Sequence, residues 1–319
     1  MDEQARDVDP GLDAEGGARA RQRVVFIDFR VLFLGEVSRS DIADFFGVSP
    51  AAATRDLASY IKDFGGQIAL DGTTKTYRAV PGFQPRFDHP IPQVLSALSS
   101  GYGLAQYQEV ANVIPAYVPR PISLPTWEIL APVTRAIAQR RVINIEYHSY
   151  SSGGTERELV PHALVNNGSR WHIRSYDRRR QEFNDFVLTR ITRVEERNES
   201  KVTVKESPSE DIQWTRIVEL ELVPHPLQQR PEVTAMDFNM KEGVLKVRER
   251  AALAGYLLRQ WNVDCSPDNS EKSPPEERDP SKRKGEEIRL WLRNQLALYD
   301  VSSAKMAPGY VAPAQQSSR

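Results

Sequence analysis

The run Arg170-Trp171-His172-Ile173-Arg174-Ser175-Tyr176 holds the densest set of side chains able to do chemistry. On a strand, period two puts Trp171, Ile173 and Ser175 on one face and Arg170, His172, Arg174 and Tyr176 on the other. Anion donors then converge with an aromatic ring, a combination that suits a phosphate and a stacked base. Tyr147 and Ser149 can join from a strand at 143–149, while Arg157, His162 and Arg190 stand near the ends of other strands. Bond-making chemistry lacks its parts. His162 and His172 have no acidic or thiolate partner at useful spacing, and there is no glycine-rich phosphate loop, paired-carboxylate motif or His/Cys metal pattern. The expectation is a binding face without catalytic residues, metal or cofactor. A lone His172 reads equally well as a partly buried hydrogen-bonding residue, Trp171 as core and Arg178-Arg179-Arg180 as a solvated turn.

A second set lies near the N-terminus. Ser49-Pro50 opens a helix, Ser49 as cap and Pro50 in its first turn, where a missing N–H costs nothing. Ala53, Leu57, Tyr60, Ile61 and Phe64 gather on one side, leaving Ala51, Ala52, Thr54, Arg55, Ser59 and Lys62 as a small, polar face able to enter a groove. Thr54 and Arg55 are the first candidates to reach bases, followed by Ser59 and Lys62. Ser38 and Arg39 begin the preceding helix, where backbone N–H groups and a cation can hold phosphate. Thr73, Thr74 and Lys75, beside Asp71-Gly72, form the tip of a two-stranded wing. Residues 19–80 carry nine basic and seven acidic side chains, so net charge argues little and placement must carry the claim. A protein-interaction scaffold with Arg55 as a solvated surface group is the competing reading; a generic solvated face would carry more Glu and Lys.

These residues need elements to hold them. The sequence predicts an acidic disordered tail at 1–18 and a winged helix-turn-helix at 19–80, with a first helix ending near Gly35 and a second from Ser38 to Gly47. A proline-rich helical linker fills 81–126. A β domain follows at 127–197: one helix at 127–140, then short strands at 142–148, 158–161, 163–165, 170–176 and 183–188, with turns at Gly153-Gly154, Asn167-Gly168 and 177–180. Residues 198–307 read as an α/β extension and dimerisation domain with a strand at 218–222, a helix at 248–261, a disordered loop at 266–285 and a further element at 288–299. A frayed tail closes the chain at 308–319. The fold class is therefore α+β multidomain: a winged helix-turn-helix, a small, strongly bent β-barrel domain and an α/β extension.

The composition agrees. With 319 residues, 40% apolar and 27% charged, the chain can build two or three cores, and its 22 prolines suit linkers. A formal charge of −1 gives no global field for nucleic acid. The single cysteine, Cys265, excludes an internal disulfide and a thiolate-rich zinc cluster. No long apolar run or signal-peptide core is present, so the expectation is a cytoplasmic protein without membrane contact.

The motifs Pro161-His162-Ala163-Leu164-Val165, Arg170 through Asp177 and Asp185-Phe186-Val187-Leu188-Thr189-Arg190-Ile191 resemble those of bacterial WYL-domain transcription factors. The name describes the strand that here reads Trp171-His172-Ile173, with His for Tyr and Ile for Leu. The chain is most similar to the repressors associated with BREX and CBASS phage-defence operons, in which that His variant fits. The resemblance implies a homodimer on a double-stranded operator with an inverted repeat at its own promoter. It also implies a basic pocket for a nucleotide or single-stranded nucleic-acid effector, with Ser149, Arg157, His162, His172, Arg174 and Arg190 as matched positions. An activator is the nearest alternative; a nucleic-acid-processing enzyme and a non-specific adaptor are remoter ones.

Overall fold

The computed structural model describes residues 16–100, 123–197, 199–269 and 288–312. The expected acidic tail up to residue 15, the connector at 101–122, most of the loop expected at 266–285 and the last residues of the tail lie outside them. The chain clusters into two compact units, 1–164 with 173–201, and 165–172 with 202–319.

In the first unit, α1 (Gly16–Leu34) is followed by β1 (Glu36–Ser38), α2 (Arg39–Phe46), α3 (Pro50–Asp63), β2 (Ile68–Asp71) and β3 (Thr76–Ala79). The capping residues set these boundaries. The Ser38 hydroxyl accepts from Asp41 N–H while the Asp41 carboxylate accepts from Ser38 N–H, a complete capping box, and Gly47 ends α2 at φ 63°. Ser49 accepts from Ala52 N–H at the start of α3. Phe26, Ile27, Val31, Ile42, Ala53, Leu57, Tyr60 and Ile68 close a common core. The wing has one strand more than the sequence suggested: β1 pairs with β3, giving the order β1-β3-β2.

α4 (Ile91–Ser100) lies in the connector, and α5 (Trp127–Gln139) enters the central domain. Arg135 Nη1 donates to Leu32 O and Gln139 Nε2 to Leu34 O, so side chains of α5 satisfy carbonyls in the last turn of α1. The central sheet contains β4 (Val142–Ser149), β5 (Gly153–Asn166), β6 (Trp171–Asp177), β7 (Glu182–Val187) and β8 (Ile191–Arg197), in the order β7-β6-β5-β4-β8. Three expectations are corrected. Gly153-Gly154 begins β5, and the turn lies just before it, where Ser149 Oγ accepts from Ser152 N–H. The segments expected at 158–161 and 163–165 are one strand. Pairing of β5 with β4 ends at Leu159, so Pro161 removes no donor from that ladder. β8 is an additional strand on β4, its charged residues suiting a sheet edge.

The second unit holds α6 (Ile212–Thr215), β9 (Ile217–Pro224), α7 (Pro231–Asp237), β10 (Leu245–Arg250), α8 (Ala251–Gln260), β11 (Val263–Asp264) and β12 (Leu290–Leu292), with sheet order β10-β9-β12-β11. Residues 248–250, expected to be helical, are the end of β10, held by pairing of Arg248 with Glu219 and Arg250 with Ile217. The helix starts only at Ala251. Leu220, Leu222, Leu258, Leu290 and Leu292 are buried in the core. Ser266 is buried, its carbonyl accepting from Trp291 Nε1, and Pro308 O accepts from Cys265 N–H. Ser266 and Pro308, at the start of the expected loop and tail, are thus anchored parts of the fold, and the rest of both from 270 to 287 and from 313 on lies outside the described residues.

Candidate nucleic-acid interface and anion-binding face

α3 is held from behind. Asp56 receives both Nε and Nη2 of Arg23, at 2.6 and 3.2 Å, and the Tyr60 hydroxyl donates to Asp28, which is fully buried. Asp28 also accepts from Arg86 N–H, Phe87 N–H and His89 Nε2, tying α1, α3 and the connector to one carboxylate. Burial, then Asp28, hold the Tyr60 hydroxyl protonated far above the usual phenol range.

The opposite side of α3 exposes Thr54, Arg55, Ser59 and Lys62. Thr54 Oγ1 donates to Pro50 O, and Ser59 Oγ to Asp63 Oδ2, which leaves the hydroxyl oxygens as acceptors. Ser38 and Ser49 are occupied as caps. Arg39 stands exposed in the first turn of α2. At the wing tip, Asp71 Oδ1 accepts from Thr73 and Thr74 N–H, Thr74 and Thr76 hydroxyls are 2.7 Å apart, and Lys75 takes φ 59° in the exposed turn. Among the described residues Arg39, Arg55, Lys62 and Lys75 form no ion pair, whereas Arg23, Arg30 and Arg78 of the same module all do. Uncompensated cations therefore lie on the two helices and the wing, and also at Arg19 and Arg21 near the start of α1.

In the central domain, Phe183 gathers His162 and Tyr176 at centroid distances of 5.8 and 5.1 Å, and Arg174 Nη1 lies 3.3 Å from Asp185 Oδ1. His162, Arg174 and Tyr176 thus come together in one neighbourhood. Arg157 does not join them through Arg174's face of β6; its Nη1 donates to Asp177 Oδ2 at 2.9 Å, on the odd-numbered face. Both ion pairs are largely buried, so each guanidinium already has its countercharge. Tyr147 is buried against Phe186, its hydroxyl accepting from Val187 N–H. Arg190 stacks 4.4 Å over the exposed Tyr150 ring, near Ser149 in its serine turn. His172 is buried and meets Tyr256 at 5.6 Å. Arg170 precedes β6 on the exposed 167–170 turn, so the strand begins one residue later than expected. Sequence reasoning missed the carboxylates Asp177 and Asp185 and the rings of Tyr150 and Phe183. Asp177 opens the 177–180 turn and Asp185 lies in the strand after it, which was the available signal.

Among the described residues no cluster of His, Cys, Asp and Glu could hold a metal ion, and no helix is long and apolar enough to cross a membrane.

A winged helix-turn-helix, a β-rich domain bearing the WYL strand and a mixed α/β C-terminal domain define a WYL-domain transcriptional regulator. Family models match residues 19–100 (BrxR transcriptional regulator winged helix-turn-helix domain), 128–196 (WYL domain) and 217–296 (BrxR transcriptional regulator, C-terminal dimerization domain). These are modules of a regulator, not of an enzyme. The chain is 31% identical over 307 residues to the DNA-binding transcriptional repressor CapW of Pseudomonas aeruginosa, covering 92% of this chain and 96% of the relative. A CapW of Escherichia coli (strain KTE188) is 31% identical over 263 residues, covering 77% and 85%, and one of Stenotrophomonas maltophilia is 27% identical over 298, covering 88% and 96%. The chain belongs to the BrxR/CapW family.

Proposed function

We propose that this chain is a cytoplasmic, sequence-specific DNA-binding repressor that acts as a homodimer on an inverted repeat upstream of its own defence operon. The observation that carries this reading is the set of uncompensated cations, Arg39, Arg55, Lys62 and Lys75, arranged around the small-residue face of α3 and the wing. In the major groove that face would bring Thr54, Arg55 and Ser59 to base edges, while Arg39, the start of α2 and the wing-tip residues Thr73, Thr74 and Lys75 hold phosphates. The CapW relatives, named repressors, favour repression over activation. The C-terminal family model supports dimerisation through residues 217–296.

The same proposal takes the bent central sheet as a small barrel and its basic residues as the seat of a nucleotide or single-stranded nucleic-acid effector that relieves repression. A phosphate there would compete with Asp185 for Arg174, while Tyr150 and Arg190 offer an exposed stacking surface. Arg55→Ala should lower affinity for promoter DNA more than for a scrambled duplex, whereas Lys75→Ala should weaken both alike. Arg174→Ala should spare promoter binding and abolish release by the nucleotides or oligonucleotides that release the unsubstituted chain. Equal loss on both duplexes for Arg55→Ala would reject its base-reading role.

A further inference from the structure

The C-terminal end of α1 is completed by side chains from another element. Val31 O accepts from Gly35 N–H, but Leu32 O accepts from Arg135 Nη1 at 2.9 Å and Leu34 O from Gln139 Nε2 at 3.0 Å, both on α5. The last turn of α1 holds no basic residue, so Arg135 also supplies the cation that a helix C-terminus favours. The same two side chains cover Gly35: a Cβ there would lie 1.8 Å from Gln139 Nε2 and 3.5 Å from Arg135 Cδ. Gly35, at φ 87°, is the single residue between α1 and β1. β1 pairs with β3 of the wing, and its last residue, Ser38, caps α2. α5 therefore sits on the turn that carries the chain from α1 into the wing and α2.

Arg135 has a second hold. Its Nε and Nη2 donate to Glu196 Oε1 at 2.8 and 2.6 Å, and Arg141 Nη1 stands 3.5 Å from the other carboxylate oxygen. Both members of the Arg135–Glu196 pair are partly buried, so salt screens it less than a surface pair. Glu196 lies near the end of β8, whose first residue directly follows Arg190; at about 3.3 Å per residue the two are about 20 Å apart along one strand. Between them the β4–β8 ladder pairs Ile191 with Tyr147 and Arg193 with Glu146 and passes over Thr192. That bulge bends the strand and sets its Arg190 end apart from the regular ladder that holds Glu196. One guanidinium thus joins the strand leading away from Arg190 to the end of α1, the helix that backs α3 through Arg23–Asp56 and Asp28–Tyr60.

We propose that Arg135 is a positioning residue that couples the central sheet to the DNA-binding module: through Glu196 it holds β8 to the last turn of α1, so that a shift of the strand moves the turn into the wing. This rests on the DNA-binding reading above and gives the effector response a physical route. Coupling is reciprocal, so DNA bound to the winged helix changes β8 as much as a change in β8 alters DNA binding. DNA alone is therefore a sufficient probe. A purely structural Arg135 would contribute stability without linking the two ends.

The test follows hydrogen exchange by mass spectrometry in the full chain, alone, with duplex DNA from upstream of its own gene, and with a scrambled duplex. In the unsubstituted chain the upstream duplex should slow exchange over residues 50–63, where it binds, and also over 191–197, by about fivefold, the lower end of the usual coupling between two sites. Arg135→Gln and Glu196→Ala cut the joint from its two sides; each should abolish the slowing at 191–197 and keep it at 50–63, and Glu196→Ala decides the matter if Arg135→Gln does not fold. Arg193→Gln breaks exposed ion pairs of the same strand with Glu156 and Glu195 and should behave as the unsubstituted chain. Slowing at 50–63 with none at 191–197 in the unsubstituted chain, slowing at 191–197 that survives in either joint variant, or an equal loss in Arg193→Gln overturns the inference and leaves the DNA-binding reading intact. If the upstream duplex slows 50–63 no more than the scrambled one does, that reading falls, and the inference with it.

Discussion

Asp28 is the point where the recognition helix is most open to attack from inside. Its side chain is fully buried and accepts from Tyr60 O–H, from the backbone N–H groups of Arg86 and Phe87, and from His89 Nε2. Asp28→Ala strips the acceptor from all of them. Each stranded buried donor costs about 1–3 kcal/mol, reduced where the connector can reach water, so a total of about 3–5 kcal/mol is expected. Tyr60→Phe removes one donor to a charged acceptor without opening a cavity and should cost about 1.5–3 kcal/mol. Hydrogen exchange read by mass spectrometry over residues 50–63 measures this locally, with residues 142–149 as an internal reference. Protection of α3 should fall in the order wild type, Tyr60→Phe, Asp28→Ala, while β4 is unaffected. The raised Tyr60 pKa adds a sign: its contribution is complete below pH 10.0, where the unfolded phenol starts to ionise, and declines as pH rises further. Unchanged α3 protection in both variants, or an equal fall in β4, would refute the anchoring argument.

Gly255 is a place where the C-terminal domain has no room: an added Cβ would lie 1.8 Å from Ser303 O, and Gly255 N–H donates to Ser303 Oγ. Gly255→Ala should destabilise this domain by about 1–3 kcal/mol or more in denaturant unfolding, since backbone must move. In the wing, hydrogen bonds from Thr73 and Thr74 N–H, with Arg78 nearby, hold the Asp71 carboxyl below its usual 3.8. The turn's stabilisation is present above that value and lost as pH falls through the lower folded one, so an NMR titration should show the Thr73 amide shifting only in that acid range. Burial and the Asp264 charge push the Cys265 thiol up, and it should resist thiol reagents until denaturant opens the C-terminal domain.

What could be read from the sequence was what is local. Ser38, Gly47 and Ser49-Pro50 mark helix ends by chemistry that acts over three or four residues, and α2 begins and ends, and α3 begins, there. β1 has three residues, too few for a pattern, and exists because β3 offers it a ladder. β8 carries an edge strand's charges in place of an apolar alternation, and the β10 to α8 boundary is fixed by pairing with β9, against a helical pattern that runs on through 248–250. In the central domain the alternation of β6 was legible, but the countercharges were not. Asp177 reaches Arg157 and Asp185 reaches Arg174 across strands, 20 and 11 residues apart. The Arg23–Asp56 pair spans 33 residues for the same reason.

The central claim is that cations and small residues on α3, α2 and the wing read an operator. A salt-controlled binding titration of the full chain against the DNA upstream of its own gene, beside a scrambled duplex of equal length, tests it most directly. The account predicts preferential binding to the upstream duplex, a salt-dependent affinity and a footprint of two half-sites about one helical turn, or a multiple of it, apart. Equal affinity for the two duplexes at every salt concentration, without a bounded footprint, would contradict it.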